Sequence, residues 1–298
     1  MTLVGAAQGG ARRVVVPSRR VSRRRRRQLV VKLVLSPVML AVAAGVSLPF
    51  YYIVVNTFKT AQQGATSPLA LPSPFTWQNY KNVFNSVPVW QSFGNSAYVT
   101  VLGVLATVLF GSMAAFAMNM RRTRGNRVLR LVLIVALAIP FQVTVVPLYE
   151  IMVKAGLVNS LSGLVVVYFA GAVFCFFIID GYMSTIPREL IEAAKIDGAS
   201  VVQIYARIMM PLSVPVLATV AIFQTIGLWN DFLVAETFLS SSAKYTIVLQ
   251  VYNSVGQFTT DWPSFMTLTT ISIVPMVVFF VVMQRKIMGG LVSGSVKG

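Results

Sequence analysis

Histidine is absent from the 298 residues, and cysteine occurs once, as Cys175. No Ser-His-Asp or Cys-His nucleophilic centre can be built from this set, nor a zinc site made of histidines or paired cysteines. A single thiol also forbids a disulfide within the chain, so cysteine usage carries no information about compartment. No segment reads GxxxxGK[ST], the glycine loop that cradles nucleotide phosphates, so any nucleotide energy has to come from another polypeptide. Charge is scarce too: 11% of residues are Asp, Glu, Lys or Arg, against about a quarter in ordinary soluble domains. With 56% of residues hydrophobic, a water-soluble globule does not fit.

Acids are scarcest, 8 against 25 basic side chains, for a formal net charge of +17. Ten of the basic residues fall in 1–32, where there is no acid, so the basic character belongs mainly to a terminal extension and not to a folded face. Nucleic acid is therefore not an expected partner. Residues 1–28 have no apolar periodicity and are expected to form a disordered cytoplasmic tail. Their arginines suit an anionic-lipid clamp, a topology signal or a partner-binding arm.

What is abundant is long apolar sequence. A helix rises about 1.5 Å per residue, so about 20 apolar residues cross a hydrocarbon core of about 30 Å. Six stretches qualify: Leu33–Asn56, Ser92–Met120, Leu131–Tyr149, Leu161–Ile179, Pro211–Asn230 and Pro263–Gln284, none with an Asp, Glu, Lys or Arg. Arg23–Arg27 before the first stretch resembles a signal-peptide start. The apolar run is too long for one and lacks a small-x-small site before Thr57, so an uncleaved first span is expected. Lys and Arg number ten, five, three and three in the tail, the 121–130 link, the 183–210 loop and the C-terminus, but only two, one and one in the alternate connections. The positive-inside bias then puts both termini in the cytoplasm and residues 57–91 and 231–262 outside. The expected fold is an all-α polytopic membrane protein with six transmembrane helices in a domain spanning 29–298.

Outside, the proline-rich 57–91 loop is expected to hold a short helix at Trp77–Phe84, whereas Tyr245–Val251 fits either strand or helix. Trp77, Trp90, Trp229 and Trp262 all fall at the outer boundary, where indoles anchor. Inside, residues 184–210 are the one internal cytoplasmic loop with acids. Pro187 and Glu189 suit a helix N-terminus, Asp197 and Gly198 a break near Ile196, and Ser200 with Gln203 a capping box that starts a second helix through Met210. On spacing alone this helix-turn-helix suits either docking to a cytoplasmic protein or lying on lipid headgroups.

Glu192-Ala193-Ala194, then Gly198, Ile208 and Pro211, resembles the EAA loop of ABC importer permeases, with Met210 where that pattern has Leu. The run Pro187–Ala199 and Trp229-Asn230-Asp231-Phe232 are similar to the carbohydrate-uptake branch of that family. Asn95-Ser96 and the terminal Gln284-Arg285, Gly290-Leu291, Gly294 and Val296-Lys297-Gly298 are similar to the second permease subunit of maltose-type importers, with Ser295 and Gly289 as departures. The resemblance implies that Glu192, Ala193, Ala194 and Gly198 form the ATPase-coupling loop, with Asp197 supporting the turn and Pro211 opening the fifth span. It also implies a homologous first permease, two ATPase subunits that bind ATP and Mg, and an extracytoplasmic solute-binding protein facing the outer loops. No cofactor is then expected in this chain, and no catalysis, in a heteromeric complex of a prokaryotic-type inner membrane.

A sugar route needs neutral polar and aromatic groups inside the bundle. Asn95, Tyr98, Gln142, Thr144, Tyr168, Gln224 and Asn230 are the candidates, each also suited to hydrogen bonding between helices. Pro140, Pro147 and Pro275 can interrupt their spans. The alternative is an ion-coupled secondary transporter. Such a protein wants an ionisable residue near the midplane, and Asp180 alone comes near, at the inner end of the fourth span, where a solvated interfacial role is expected.

Overall fold

The computed structural model describes residues 19–121, 123–256 and 261–295, with side chains for 31–121, 123–256 and 261–285. The expectations for residues 1–18 and for Val296-Lys297-Gly298 lie outside the described residues. By its contacts the chain separates into Met1–Tyr52 and Ile53–Gly298.

The first unit contributes most of helix α1 (Arg19–Asn56), whose Val31–Asn56 stretch is long and apolar enough to span a bilayer. The helix already runs through Arg19–Arg27, within the segment expected to be disordered. Arginine is a good helix former, so an apolar span can extend through it.

The second unit begins with two short helices, α2 (Ala61–Thr66) and α3 (Gln78–Ser86), the latter close to the expected one. The central element, α4 (Val89–Met120), follows. Gly103, Thr107, Gly111 and Ala115 recur every fourth residue along it, forming one face. A Cβ on Gly111 would lie 2.7 Å from Cys175 Cβ and 3.0 Å from the Phe176 backbone nitrogen, and one on Gly103 would lie 2.7 Å from Leu228 Cδ1. Small residues thus let the backbone of the fourth span and the Leu228 side chain of the fifth approach α4 closely, which is how helices gain packing energy where lipid offers no hydrophobic drive.

The expected third span, Leu131–Tyr149, is not one helix. It divides into α5 (Arg124–Ala138) and α6 (Phe141–Lys154), bent by 101°. Pro140 is the cause: it holds Ile139 extended and cannot donate to the preceding turn. Pro147, by contrast, sits inside α6 without ending it. The fourth span, Leu161–Met183, is α7 (Leu161–Tyr168) and α8 (Ala172–Met183) joined by a 3-10 turn at Phe169–Gly171.

Next come α9 (Glu189–Ile196), α10 (Val201–Ile204) and α11 (Met210–Trp229). The fifth span does not open at Pro211 as expected: the helix is unbroken from Val201 to Trp229, with a π turn at Tyr205–Met209. Pro211 has no N–H for the normal ladder, and the wider turn, in which Met210 N–H reaches Tyr205 O, absorbs that register change. The second outer stretch is helical where described, with α12 (Leu233–Phe238), a 3-10 turn and α13 (Ile247–Asn253) capped by Thr246. Last is α14 (Trp262–Ser295), which carries Pro275 without a break.

Among the described residues five helices qualify as spans, and the bent pair makes a sixth if counted as one. Leu105, Val135, Val281 and Val282 are exposed on them, as side chains facing lipid should be.

Candidate functional site

The elbow between α9 and α10 is shaped by hydrogen bonds that close over a few residues. Glu189 and Glu192 occupy the first turn of α9 and Lys195 its last, each at the helix end its charge favours. Asp197 N–H bonds to Ala193 O at 3.0 Å and ends the helix. Gly198 then takes φ of +77°, the left-handed conformation glycine adopts without a Cβ penalty. Ser200 N–H donates to Gln203 Oε1 at 2.7 Å while Gln203 N–H donates to Ser200 Oγ, the expected capping box.

The elbow has two faces. Glu192, Ala193, Asp197 and Gly198 are exposed, together with Val202 and with Ile196 at 87%. Ala194, Ile204 and Met209 are buried in a core with Phe116, Cys175, Phe176, Ile179 and Met183 from α4 and α8. The Tyr205 ring packs at a tilt against Phe116, centroids 5.2 Å apart, and its hydroxyl shares a 2.8 Å hydrogen bond with Ser112. The exposed face and the packed underside thus belong to one short element in contact with α4 and α8.

Beneath the elbow lies a network that the sequence did not reveal. Asp180 of α8 is buried, not solvated at an interface as expected. Arg130 of α5 donates to both its oxygens, at 2.5 and 3.1 Å, and Asn119 of α4 donates to Oδ1 at 2.7 Å. Arg130 also lies over the Phe176 ring. Asn119 and Met120 line a shallow pocket with Arg188, Ile191, Glu192 and Lys195, so the network borders the elbow. Three helices are tied together by one carboxylate, whose signal in the sequence was a lone acid ending an apolar run opposite a basic link.

At the other end of the bundle, called the cap here, the seven polar candidates separate. Tyr168 and Gln224 share a seam: Gly103 of α4 abuts Tyr168 and Leu228, and one turn away Gly171 abuts Gln224 and Thr107. Asn95 is buried and already engaged, donating to the carbonyls of Ala243 and Tyr245 at 3.0 Å each. Tyr98 is half exposed. Gln142 and Thr144 lie on α6, past the bend, where Gln142 is exposed and Thr144 donates to Phe141 O. Asn230 is exposed and donates to Ile226 O.

Two cap residues escaped sequence reasoning as site candidates. Asp231 Oδ2 accepts from Tyr168 Oη at 2.9 Å and from the backbone N–H groups of Val234 and Ala235, capping α12. Burial pushes the Asp231 carboxyl above its ordinary range, although these three donors oppose the shift. Asn159, at φ of +53°, accepts from Ser240 and Ser241 N–H and donates to Ser241 Oγ, joining the start of α7 to the end of α12. Of the four tryptophans, Trp229 departs from the boundary pattern: it is half-buried and stacks on Phe93.

Residues 107–288 match the family described as binding-protein-dependent transport system inner membrane component. AmyC of Thermoanaerobacterium thermosulfurigenes, described as a probable starch degradation products transport system permease protein, is 33% identical over 84% of this chain and 91% of its own length. The melibiose/raffinose/stachyose import permease protein MelC of Bacillus subtilis (strain 168) is 31% identical over 86% of this chain and 94% of its own. The multiple sugar-binding transport system permease protein MsmG of Streptococcus mutans is 34% identical over 84% and 91%. Among solved structures, a chain of a bacterial ABC transporter involved in the import of the acidic polysaccharide alginate superposes with a TM-score of 0.76. It has 24% identity, over 87% of this chain and 97% of that one, and so shares the fold. A chain from the alginate transporter in complex with an alginate pentasaccharide-bound periplasmic protein gives a TM-score of 0.65 at 15% identity, over 90% and 98%.

Proposed function

The chain belongs to the family of binding-protein-dependent inner membrane transport components, and from that membership we propose that it forms half of the translocation pathway for a sugar or related polyol. It is a non-catalytic, multi-pass inner membrane permease subunit of an ABC importer. In the proposed assembly a homologous first permease supplies the other half, and two ATPase subunits hold ATP and Mg. The solute-binding protein approaches the cap, and both termini are cytoplasmic, the arrangement supported by the concentration of Lys and Arg at the elbow end.

One observation carries the coupling role: an elbow whose exposed face holds Glu192 and Ala193 while its underside is packed into the core with α4 and α8. A partner that grips this face differently in two states shifts the bundle between them by that difference in free energy. The sugar reading is supported by what the relatives are named for. Ion coupling finds no support at Asp180, which is fixed by Arg130 and Asn119 at the elbow end.

The test is uptake of labelled raffinose and maltodextrins by proteoliposomes holding the full transporter, its binding protein and internal ATP. Uptake should survive a proton-conducting ionophore and stop when ATP is withheld. Sugar uptake driven by an ion gradient without ATP would refute the proposal.

A further inference from the structure

Residues 57–80 form an apolar surface that neither the pathway nor the elbow uses. No charged side chain occurs between Thr60 and Tyr80. Lys59, just before this stretch, is fully buried, its ammonium donating to Ser67 O at 2.9 Å and Pro68 O at 2.8 Å. Among its exposed residues are the apolar Leu71 at 71%, Trp77 at 56%, and Leu69 and Phe75 to a similar extent, interspersed with the uncharged polar Gln62, Thr66, Ser67, Ser73 and Gln78.

The segment folds back on the residues that follow the first span. Asn56 ends the first span, and its Nδ2 donates to Pro68 O at 2.9 Å. Thr76 N–H bonds to Phe58 O at 3.0 Å, and Phe58 stacks on Phe75 at 4.7 Å and meets Trp77 edge-on at 5.0 Å. Asn79 closes the fold by donating to Thr57 O and Lys59 O. The segment leaves the span and returns to within one turn of its end, a rise of about 3 Å from Asn56 to Phe58 if helical spacing continues. On its other side α2 rests on the start of the last span, with Gly64 so close to Pro263 that a Cβ would fall 2.9 Å from its ring. The loop thus folds back on residues 56–59 and packs against the start of the last span.

We propose that Leu71, Phe75 and Trp77 insert into the headgroup and upper acyl region of the bilayer at the cap end, making this loop a lipid-bound collar. Aromatic side chains are enriched at that depth because an apolar ring and a polar edge both find suitable surroundings, and burying Leu and Phe beside them gains transfer energy at no cost in desolvated charge. Withdrawal of the Lys59 ammonium to backbone carbonyls is what leaves the surface uncharged. A surface made for a soluble partner would be expected to carry charge at its rim, and residues 60–80 have none.

The full transporter carrying Trp90→Phe, Trp229→Phe and Trp262→Phe would be placed in nanodiscs of phosphatidylcholine brominated at shallow or deep acyl positions, and the emission of the same assembly with Trp77→Phe added would be subtracted to isolate Trp77. Trp77 emission should fall roughly twofold with shallow bromines, where interfacial indoles sit, and less with deep ones. Addition of the solute-binding protein should leave it unchanged. Emission equal in brominated and ordinary lipid, or shielded only by the binding protein, would overturn the collar. Should the triple replacement fail to assemble, Leu71→Cys in a Cys175→Ala background, labelled with a polarity-sensitive dye, gives the same reading. Quenching by a lipid-borne nitroxide and not by aqueous iodide supports insertion, and the reverse pattern refutes it. Neither measurement depends on the solute carried, so the collar and the sugar reading stand or fall separately.

Discussion

At the elbow the hydrogen bonds that set the shape close within five residues, from Ala193 to Asp197 and from Ala194 to Ala199. At the cap the corresponding bonds join residues 63 to 151 positions apart: Tyr168 to Asp231, Asn95 to Ala243, Ser96 to Ile247. An element closed on itself can be displaced as a unit without breaking its own bonds, whereas one stitched from distant segments holds those segments in register and fails when one stitch is cut. Substitutions at the elbow should therefore alter coupling more than folding, and substitutions at the cap the reverse.

The largest effect that would sharpen this contrast is expected from Glu192→Lys. Reversing an exposed charge on the docking face should lower ATP-driven uptake by about 5- to 150-fold, the range of typical coupling energies. The same change should move stability by no more than about 0.5 kcal/mol, as for other surface positions. Uptake assays beside thermal melting of the purified complex would check both, and a melted protein would break the comparison.

Asp180→Ala lies between the two regions in kind. It removes the carboxylate that joins α4, α5 and α8, and loss of a fully buried partner costs about 3 to 5 kcal/mol. Arg130 is 39% exposed and can turn to water, so about 1 to 3 kcal/mol is the expected loss. Asn95→Ala should cost about 1 to 3 kcal/mol by leaving the carbonyls of Ala243 and Tyr245 without their donor. ATP hydrolysed per solute moved should not change for Asn95→Ala. A normal melting temperature with a poorer coupling ratio would place the residue in the wrong class. Gly198→Ala, at φ of +77°, should cost about 1 kcal/mol, confined to the elbow and visible as faster hydrogen exchange over α9 and α10.

The same contrast explains what could be read in advance. Helix starts and stops at Ser200, Gln203 and Gly198 are written in residues a few positions apart, and the apolar spans declare themselves by length. The break at Pro140 was readable as a possibility, but its 101° angle depends on what α5 and α6 pack against. Asn95 could be read as a path group or as a bond between helices but not given its partners, which lie some 150 residues later, and Asp180 looked solvated because Arg130 and Asn119 belong to other helices. Of the seven path candidates, composition identified the residue types, whereas the packing that sets Tyr168 beside Gly103 and Gln224 beside Gly171 joins different helices and has no local signal.

The smallest expected effect is at Asp231, where the cap bond can be kept while its charge is removed. Asp231→Asn retains a carbonyl oxygen for Tyr168 Oη and for the N–H groups of Val234 and Ala235, so the difference from the parent should be under about 1 kcal/mol. Its sign should depend on pH. Burial raises the carboxyl above its ordinary value, so the folded state holds the proton more tightly than the unfolded one. The stability this contributes is complete below the ordinary Asp value of about 4 and is lost as pH rises through the raised one. The parent's melting temperature should therefore decline relative to that of Asp231→Asn over this interval, with the variant lacking the titration. A parent that instead gains on the variant as pH rises would mean that the three donors outweigh burial and that charge-assisted bonds hold the cap.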